Sequence, residues 1–243
     1  MEKISLQKIK WLRSLQLKKN RDKENLFVIE GEKIFSELHA IQNLDIRFIL
    51  CSERIFHKYQ LQNEINAYIG GLLELEKASS LNTAPEIIVV VSRPDSFEIN
   101  LKNRLLVLDG IQDPGNLGTI IRTADWFGIN QIICSKNTVD CYNSKVIQSS
   151  MGSIFRVSIV YKDLTTFLKD LKLPIHGALL NGVNLNDINP NEIKALVLGN
   201  EGQGISPEII PLITHPTTIP GFGNAESLNV AIAGGIFMNH WRK

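Results

Sequence analysis

The chain has 243 residues, 44% apolar and 21% charged, with 26 Lys+Arg against 25 Asp+Glu. That apolar content excludes a disordered polymer and is enough for one large core or two modest ones. The net charge of +1 excludes a uniformly basic nucleic-acid binder. The charge is uneven, however. Residues 1–24 carry eight Lys/Arg and three Asp/Glu, a net +5, so the rest of the chain sums to −4.

In chain order, Ile9, Leu12 and Leu15 recur at helical spacing among Lys8, Lys10, Arg13 and Lys18. This predicts a basic amphipathic helix followed by a polar loop through Asn25. Arg13, Lys18, Lys19, Arg21 and Lys23 are its candidate phosphate contacts. Strands are expected at 26–30, 46–50 and 86–92, with a helix over 32–40, which makes a small α/β unit. Ser92 to Asn100 has a proline, charges and no periodicity, so a boundary is placed there. The expected organisation is a first domain over 1–93, a linker over 94–103 and a second domain over 104–243.

The second part alternates strands at 105–108, 131–134, 154–160, 175–180 and 195–198 with helices at 117–127, 144–150 and 164–171. Such alternation predicts a mainly parallel sheet covered by helices. Ligands then belong at the carboxyl ends of the strands. The longest apolar run of the first half, Ile87 to Val91, is far short of the roughly 18–20 residues of a membrane span. The N-terminus lacks the apolar stretch of a signal peptide. A cytoplasmic protein is expected. Cys51, Cys134 and Cys141 form no CxxC pair and read as small buried hydrophobes, and no metal site is expected.

Three strand ends run into loops rich in Gly, Asn and Pro. The first spans Asp109 to Gly118 and opens a helix carrying Arg122. The second spans Gly199 to Pro207, where Ser206 and Pro207 suit a helix start. The third spans Ile219 to Asn229 and leads into a helix from Val230. GxxxxGK[ST], GxGxxG after a strand, HExxH and GxSxG do not occur, which removes the support for a nucleotide hydrolase, a nicotinamide dehydrogenase, a zinc peptidase or a serine hydrolase. His176, inside an apolar run, reads as a core residue. Arg122 lies among Leu117, Ile120 and Ile121. A buried guanidinium there needs a partner: either a carboxylate such as Asp109, Asp125 or Glu201, or a phosphate or developing oxyanion.

Together these loops resemble the SpoU class of SPOUT RNA methyltransferases. Asp113 to Ala124 looks like the first motif of that family, Leu198 to Ser206 like the second, and Ile219-Pro220 through Val230 like the third; Lys145 to Val157 is also similar to a family segment. The match covers residues 104–241. The first 90 residues resemble, less specifically, the small substrate-binding domain that many members carry. Gly221 and Ala231 depart from the family pattern, which often has Met and Ser there.

The resemblance implies an α/β-knot, a deep trefoil knot with a mainly parallel sheet, behind a small α/β RNA-binding domain. It implies a homodimer that transfers a methyl group from S-adenosylmethionine to a ribose 2′-hydroxyl, in ribosomal RNA first and transfer RNA second. It places Leu180, Gly199, Asn200, Gly202, Ile219, Pro220, Leu228 and Asn229 on or near the cofactor. Arg122 would act on the hydroxyl, and Asn116, Glu201, Ser227 and Asn229 would support it. The competing readings are a base-nitrogen methyltransferase and a catalytically inactive RNA-binding protein of the same fold.

Overall fold

The structure is a computed structural model that describes residues 4–39, 41, 44–64, 66–94 and 97–242. Ala40, expected in a helix, and residues 95 and 96 of the expected linker lie outside this set. The described chain divides into two compact units, one of residues 1–95 with 142–152 and the other of 96–141 with 153–243.

The first unit begins with α1 (Leu6–Ser14), capped by the Ser5 side chain. Where a polar loop was expected there is a second helix, α2 (Lys18–Glu24), closed by Asn25 in the left-handed conformation. Lys18 and Asp22, four residues apart, pair across its surface, an arrangement that favours a short helix. After β1 (Leu26–Glu30), α3 (Glu32–His39) and β2 (Ile46–Cys51) come three elements that the sequence reading missed: α4 (Glu53–Lys58), β3 (Ala67–Ile69) and α5 (Leu72–Ala78). β4 (Ile87–Ser92) completes a sheet of order β1-β4-β2-β3, antiparallel except for the β2–β3 pair. Every residue of β4 from Ile87 to Val91 is buried, so the run that is too short for a membrane is a central strand. Ile9 and Leu12 of α1 and Leu15 at its C-cap pack with Leu75 and Ala78 of α5 over Phe48, Leu50, Ile88 and Val90.

Residues 142–152, grouped by the sequence with the C-terminal part, belong to this first unit. They form α7 (Ser144–Ser150), which packs on β1. Gln148 Nε2 donates to the Glu30 carbonyl at 2.7 Å.

The second unit is a six-stranded, all-parallel sheet of order β10-β8-β9-β5-β6-β7, made of β5 (Leu105–Leu108), β6 (Gln131–Ser135), β7 (Ser158–Lys162), β8 (Ile175–Asn184), β9 (Ala195–Leu198) and β10 (His215–Thr218). Its helices are α6 (Pro114–Trp126), α8 (Leu164–Asp170) and α9 (Val230–Trp241). Leu105, Val107, Ile133, Ala195 and Val197 meet Leu164 and Leu168 of α8 in one core.

Several expectations are corrected here. The strand expected at 154–160 starts only at Ser158, after a 3-10 turn at Ser153–Phe155. Asp113 caps α6 and Pro114 is its first residue, so α6 begins three residues before the expected start. Ser206-Pro207 opens no α-helix; turns and a 3-10 segment, Ile210–Leu212, follow instead. Among the described residues no helix is long and apolar enough to cross a membrane.

β8 and β10 pair with a break. His215 and Pro216 face His176 and Gly177, but the next pairs are Thr217 with Val183 and Thr218 with Asn184. Residues 178–182 are therefore thrown out of the ladder, and a Cβ on Gly182 would meet the Pro216 carbonyl and the Thr217 nitrogen. Only glycine allows so close a backbone approach.

Candidate active site

Three loops meet at the carboxyl ends of β5, β9 and β10. The Asp113 carboxylate caps α6 by accepting from Asn116 N at 2.8 Å, which fixes Asn116 in the first turn. Asn116 Nδ2 donates to Glu201 Oε1 at 3.0 Å. The Glu201 carboxylate also accepts from the Gln112 and Asp113 amides, at 3.5 and 3.4 Å, at the start of α6. A carboxylate suits that end of a helix dipole. From the third loop, Asn229 Nδ2 donates to Asn116 Oδ1 at 3.0 Å, while Asn229 Oδ1 caps α9 by accepting from Ala231 N and Ile232 N. One chain of side chains, Glu201–Asn116–Asn229, thus ties the three loops together.

Arg122 was expected to be buried and in need of a partner. It is exposed, and each carboxylate that could have neutralised it is engaged elsewhere. Asp109 Oδ2 accepts from Ser206 N at 2.8 Å, Asp125 pairs with Arg156 at 2.8 Å, and Glu201 is held by Asn116. Gly115, Thr119, Arg122 and Trp126 fall at helical spacing along one outer face of α6, and Trp126 is 85% exposed. Arg122 is therefore exposed to solvent about one and two-thirds turns from Asn116, with no desolvation penalty.

In the second loop, Asn200 is committed to the loop itself. Its Nδ2 donates to the Gly110 carbonyl at 2.7 Å, and its Oδ1 accepts from Gly202 N and Gln203 N at 2.9 and 3.0 Å. A Cβ on Gly199 would overlap the backbone of Gly204 and Ile205, so this glycine is required by loop closure. In the third loop, residues 221–229 are all exposed, Ser227 and Leu228 included, and Phe222 is 97% exposed. Added Cβ atoms at Gly221 and Gly223 would meet only open space.

Leu180 lies in the stretch that the β8–β10 break throws out, and is 73% exposed. Thr218 Oγ1 donates to the Leu180 carbonyl at 3.0 Å, bringing the end of β10, and with it Ile219 and Pro220, beside Leu180. Leu228, in the third loop, is likewise exposed, at 49%.

The sequence reading did not find the contact between His176 of β8 and His215 of β10. His176 is buried, stacked on the His215 ring at 4.7 Å, with Nδ1 3.1 Å from Thr217 Oγ1. Thr217 gives its own proton to the His215 carbonyl at 3.0 Å, so it accepts from His176 Nδ1–H. That leaves Nε2 as an unprotonated acceptor, buried and without a partner among the described residues. Burial first, then the His215 charge, pushes the His176 pKa down to about 4. His176 is thus a core residue, though not a fully satisfied one. The three cysteines are buried and form no disulfide, and burial pushes the Cys51 thiol up to about 12.

The candidate RNA-binding residues of the N-terminal segment separate into two groups. Arg13, Lys18, Lys19 and Lys23 are exposed. Arg21 is 4% exposed and its Nη1 donates to the carbonyls of Leu15 and Gln16 at 2.9 and 2.6 Å, closing the end of α1. The expectation that Arg21 reaches a phosphate is corrected: it belongs to the fold of the first unit.

The fold and this three-loop arrangement define the class. Residues 103–239 match the SpoU rRNA Methylase family and residues 7–89 an MRM3-like substrate binding domain; the chain belongs to the SpoU rRNA Methylase family. A curated relative, the 23S rRNA (guanosine(2553)-2′-O)-methyltransferase RlmP of Bacillus subtilis, is 32% identical over 100% of this chain and 98% of its own length. A solved TrmH-family structure from Porphyromonas gingivalis is 35% identical, with TM-score 0.90 and 99% of both chains covered. The AdoMet-bound rRNA methyltransferase from Sinorhizobium meliloti is 25% identical, with TM-score 0.86 over 99% of this chain and 97% of its own.

Proposed function

We propose that this protein transfers the methyl group of S-adenosylmethionine to a ribose 2′-hydroxyl of ribosomal RNA. The observation that carries the reading is the Glu201–Asn116–Asn229 chain that joins the three family loops, with Arg122 exposed further along the helix that Asn116 opens. Family membership and the full-length similarity to the Bacillus enzyme support the substrate class. The rRNA named in the matched family and in the Bacillus relative supports ribosomal RNA ahead of transfer RNA. A cytoplasmic location follows from that substrate.

The cofactor supplies an activated methyl group when bound, so the protein has to bind, align and handle one proton. Leu180, Ile219, Pro220 and Leu228 offer the apolar and backbone surface that fits it, and Gly199, Asn200 and Gly202 keep the second loop in shape around it. The Arg122 fork stabilises the developing alkoxide or holds the adjacent phosphate, while the hydroxyl proton leaves to solvent water. Asn116 and Asn229 fix the start of α6 and α9 so that Arg122 and the third loop meet the same ribose. Ser227 shapes that loop.

A trefoil knot through the second and third loops belongs to this reading, as does a homodimer. Ile232 and Ile236, exposed one turn apart on α9, give the dimer an apolar face. Arg13, Lys18, Lys19 and Lys23 supply phosphate contacts. The test is to map 2′-O-methylation in total RNA from cells with and without the protein. Loss of one ribosomal site is expected; an unchanged ribosomal RNA map overturns the reading.

A further inference from the structure

The first unit contains an open cleft of about 360 Å³ lined by Trp11, Glu24, Asn25, Leu26, Arg47 and Ser92. Its ring wall is held in place. Trp11 stands edge-on to Phe48 at 5.6 Å, Phe48 is stacked on Tyr68 at 5.1 Å, and the Lys8 ammonium lies 3.8 Å from the Tyr68 ring centre. Trp11 Nε1 donates to Glu24 Oε2 at 2.7 Å, which fixes the indole and one carboxylate oxygen. On the other side, Arg47 Nε donates to Ser92 Oγ at 2.9 Å and Nη2 pairs with Asp45 at 2.6 Å. Among the described residues Glu24 Oε1 and Arg47 Nη1 keep no partner, so the cleft offers one acceptor and one donor beside an aromatic ring.

That combination selects among ligands. A bare phosphate gains nothing from Glu24, and a purely apolar group leaves both polar atoms unpaired. A nucleobase has a π face for the indole and an edge carrying both donors and acceptors. RNA is read in this manner where its bases are unstacked. Five of the six lining residues fall within the segment that matches a substrate binding domain. We propose that this cleft holds one unstacked nucleobase of the RNA substrate, stacked on Trp11 and read at its edge by Glu24 and Arg47. The proposal rests on the RNA methyltransferase reading and adds to it a contact in the other unit, apart from the reacting ribose.

The test uses the full-length protein, radiolabelled S-adenosylmethionine and ribosomal RNA from cells lacking the gene. Trp11→Ala is expected to raise KM for RNA about tenfold, with a much smaller change in kcat, because stacking on an aromatic ring contributes to binding the strand. Trp11→Phe should recover most of that loss. Glu24→Gln and Arg47→Gln, at exposed positions, should each raise KM several-fold, and they decide the matter if Trp11→Ala fails to fold. Because stacking releases no counterions, Trp11→Ala should leave the salt dependence of RNA affinity unchanged. Unaltered KM in a folded Trp11→Ala or, where that variant does not fold, in both Glu24→Gln and Arg47→Gln overturns the proposal. A wild-type protein that methylates no ribosomal RNA sinks the underlying reading instead, so the two failures are distinguishable.

Discussion

Asn229 uses its side chain in two directions at once, donating from Nδ2 to Asn116 Oδ1 at 3.0 Å while Oδ1 caps the first turn of α9. The two duties are separable by substitution. Asn229→Asp keeps the cap and removes the donor, so the midpoint of thermal unfolding should hardly move while methyl transfer falls at least tenfold. Asn229→Ala removes both and should also cost about 1 kcal/mol of stability. Equal activity in the wild type and Asn229→Asp, in a single-turnover assay, would show that the Asn116–Asn229 link has no role in the reaction.

Arg122→Ala should abolish methyl transfer and leave the affinity for S-adenosylmethionine within about twofold by calorimetric titration. Arg122→Lys should recover only a small part of the rate, since an ammonium keeps the charge but not the planar fork. Parallel loss of cofactor affinity and activity in Arg122→Ala would reassign the residue to loop architecture.

Two glycines of the candidate cofactor loops should differ in their tolerance of a side chain. At Gly199 a methyl group meets backbone that cannot rotate away, so Gly199→Ala should destabilise the second unit by about 3 kcal/mol and weaken cofactor binding. At Gly221 the added methyl has open space, so Gly221→Ala should leave the unfolding midpoint unchanged. Denaturant titration of the two variants provides the comparison.

The cationic N-terminal segment should divide along the line drawn by burial. Arg21→Gln loses two charge-assisted bonds to carbonyls inside the fold and should cost about 1.5–3 kcal/mol. Lys19→Gln and Lys23→Gln should leave stability alone, and each should reduce the slope of log affinity for RNA against log salt by about 0.7–0.9. Filter binding at several salt concentrations, alongside thermal melts, reads both effects.

His176 makes the second unit sensitive to mild acid. Its folded pKa of about 4 lies below the ordinary 6.5, so between these values the unfolded chain takes up a proton that the folded chain refuses. Stability is present above pH 6.5 and declines as pH falls towards 4. His215, stacked on it, adds to the resistance against a second charge. His176→Gln should give a flatter stability profile over this range; an unchanged profile would mean that His176 titrates normally.

The central strands of the second unit and the order of its three loops were legible because buried parallel strands read as continuous apolar runs, as in Leu105–Leu108 and Ala195–Leu198, and because Gly, Asn and Pro mark the strand ends, whereas the edge strand His215–Thr218, short and polar with a proline, was missed. Asp113-Pro114 also held the start of α6, had the Asp cap been weighed with the proline. The elements missed were short: Ala67–Ile69 has three residues, and Leu72–Ala78 opens with exposed Leu72 and Leu73, which blur its periodicity. The exposure of Arg122 was not legible, since its apolar neighbours lie on the opposite side of a helix from it. Nor was the destination of Arg21, which depends on where α1 ends. The partners of Asn116 are set by loops 85 and 113 positions away, and no local pattern records such pairings.

The helix Ser144–Ser150 buries Val146 and Ile147 in the first unit although it is encoded well beyond that unit's last strand. The polypeptide therefore passes between the units three times, after residues 95, 141 and 152. During synthesis the N-terminal sheet emerges early, but its packing against α7 waits until residue 152 has left the ribosome. The usual order, in which an N-terminal domain is finished before the next begins, does not hold here. A nascent chain arrested between residues 95 and 141 should carry an N-terminal unit with the α7-facing side of β1 uncovered, more open to proteases than the same residues in the finished protein.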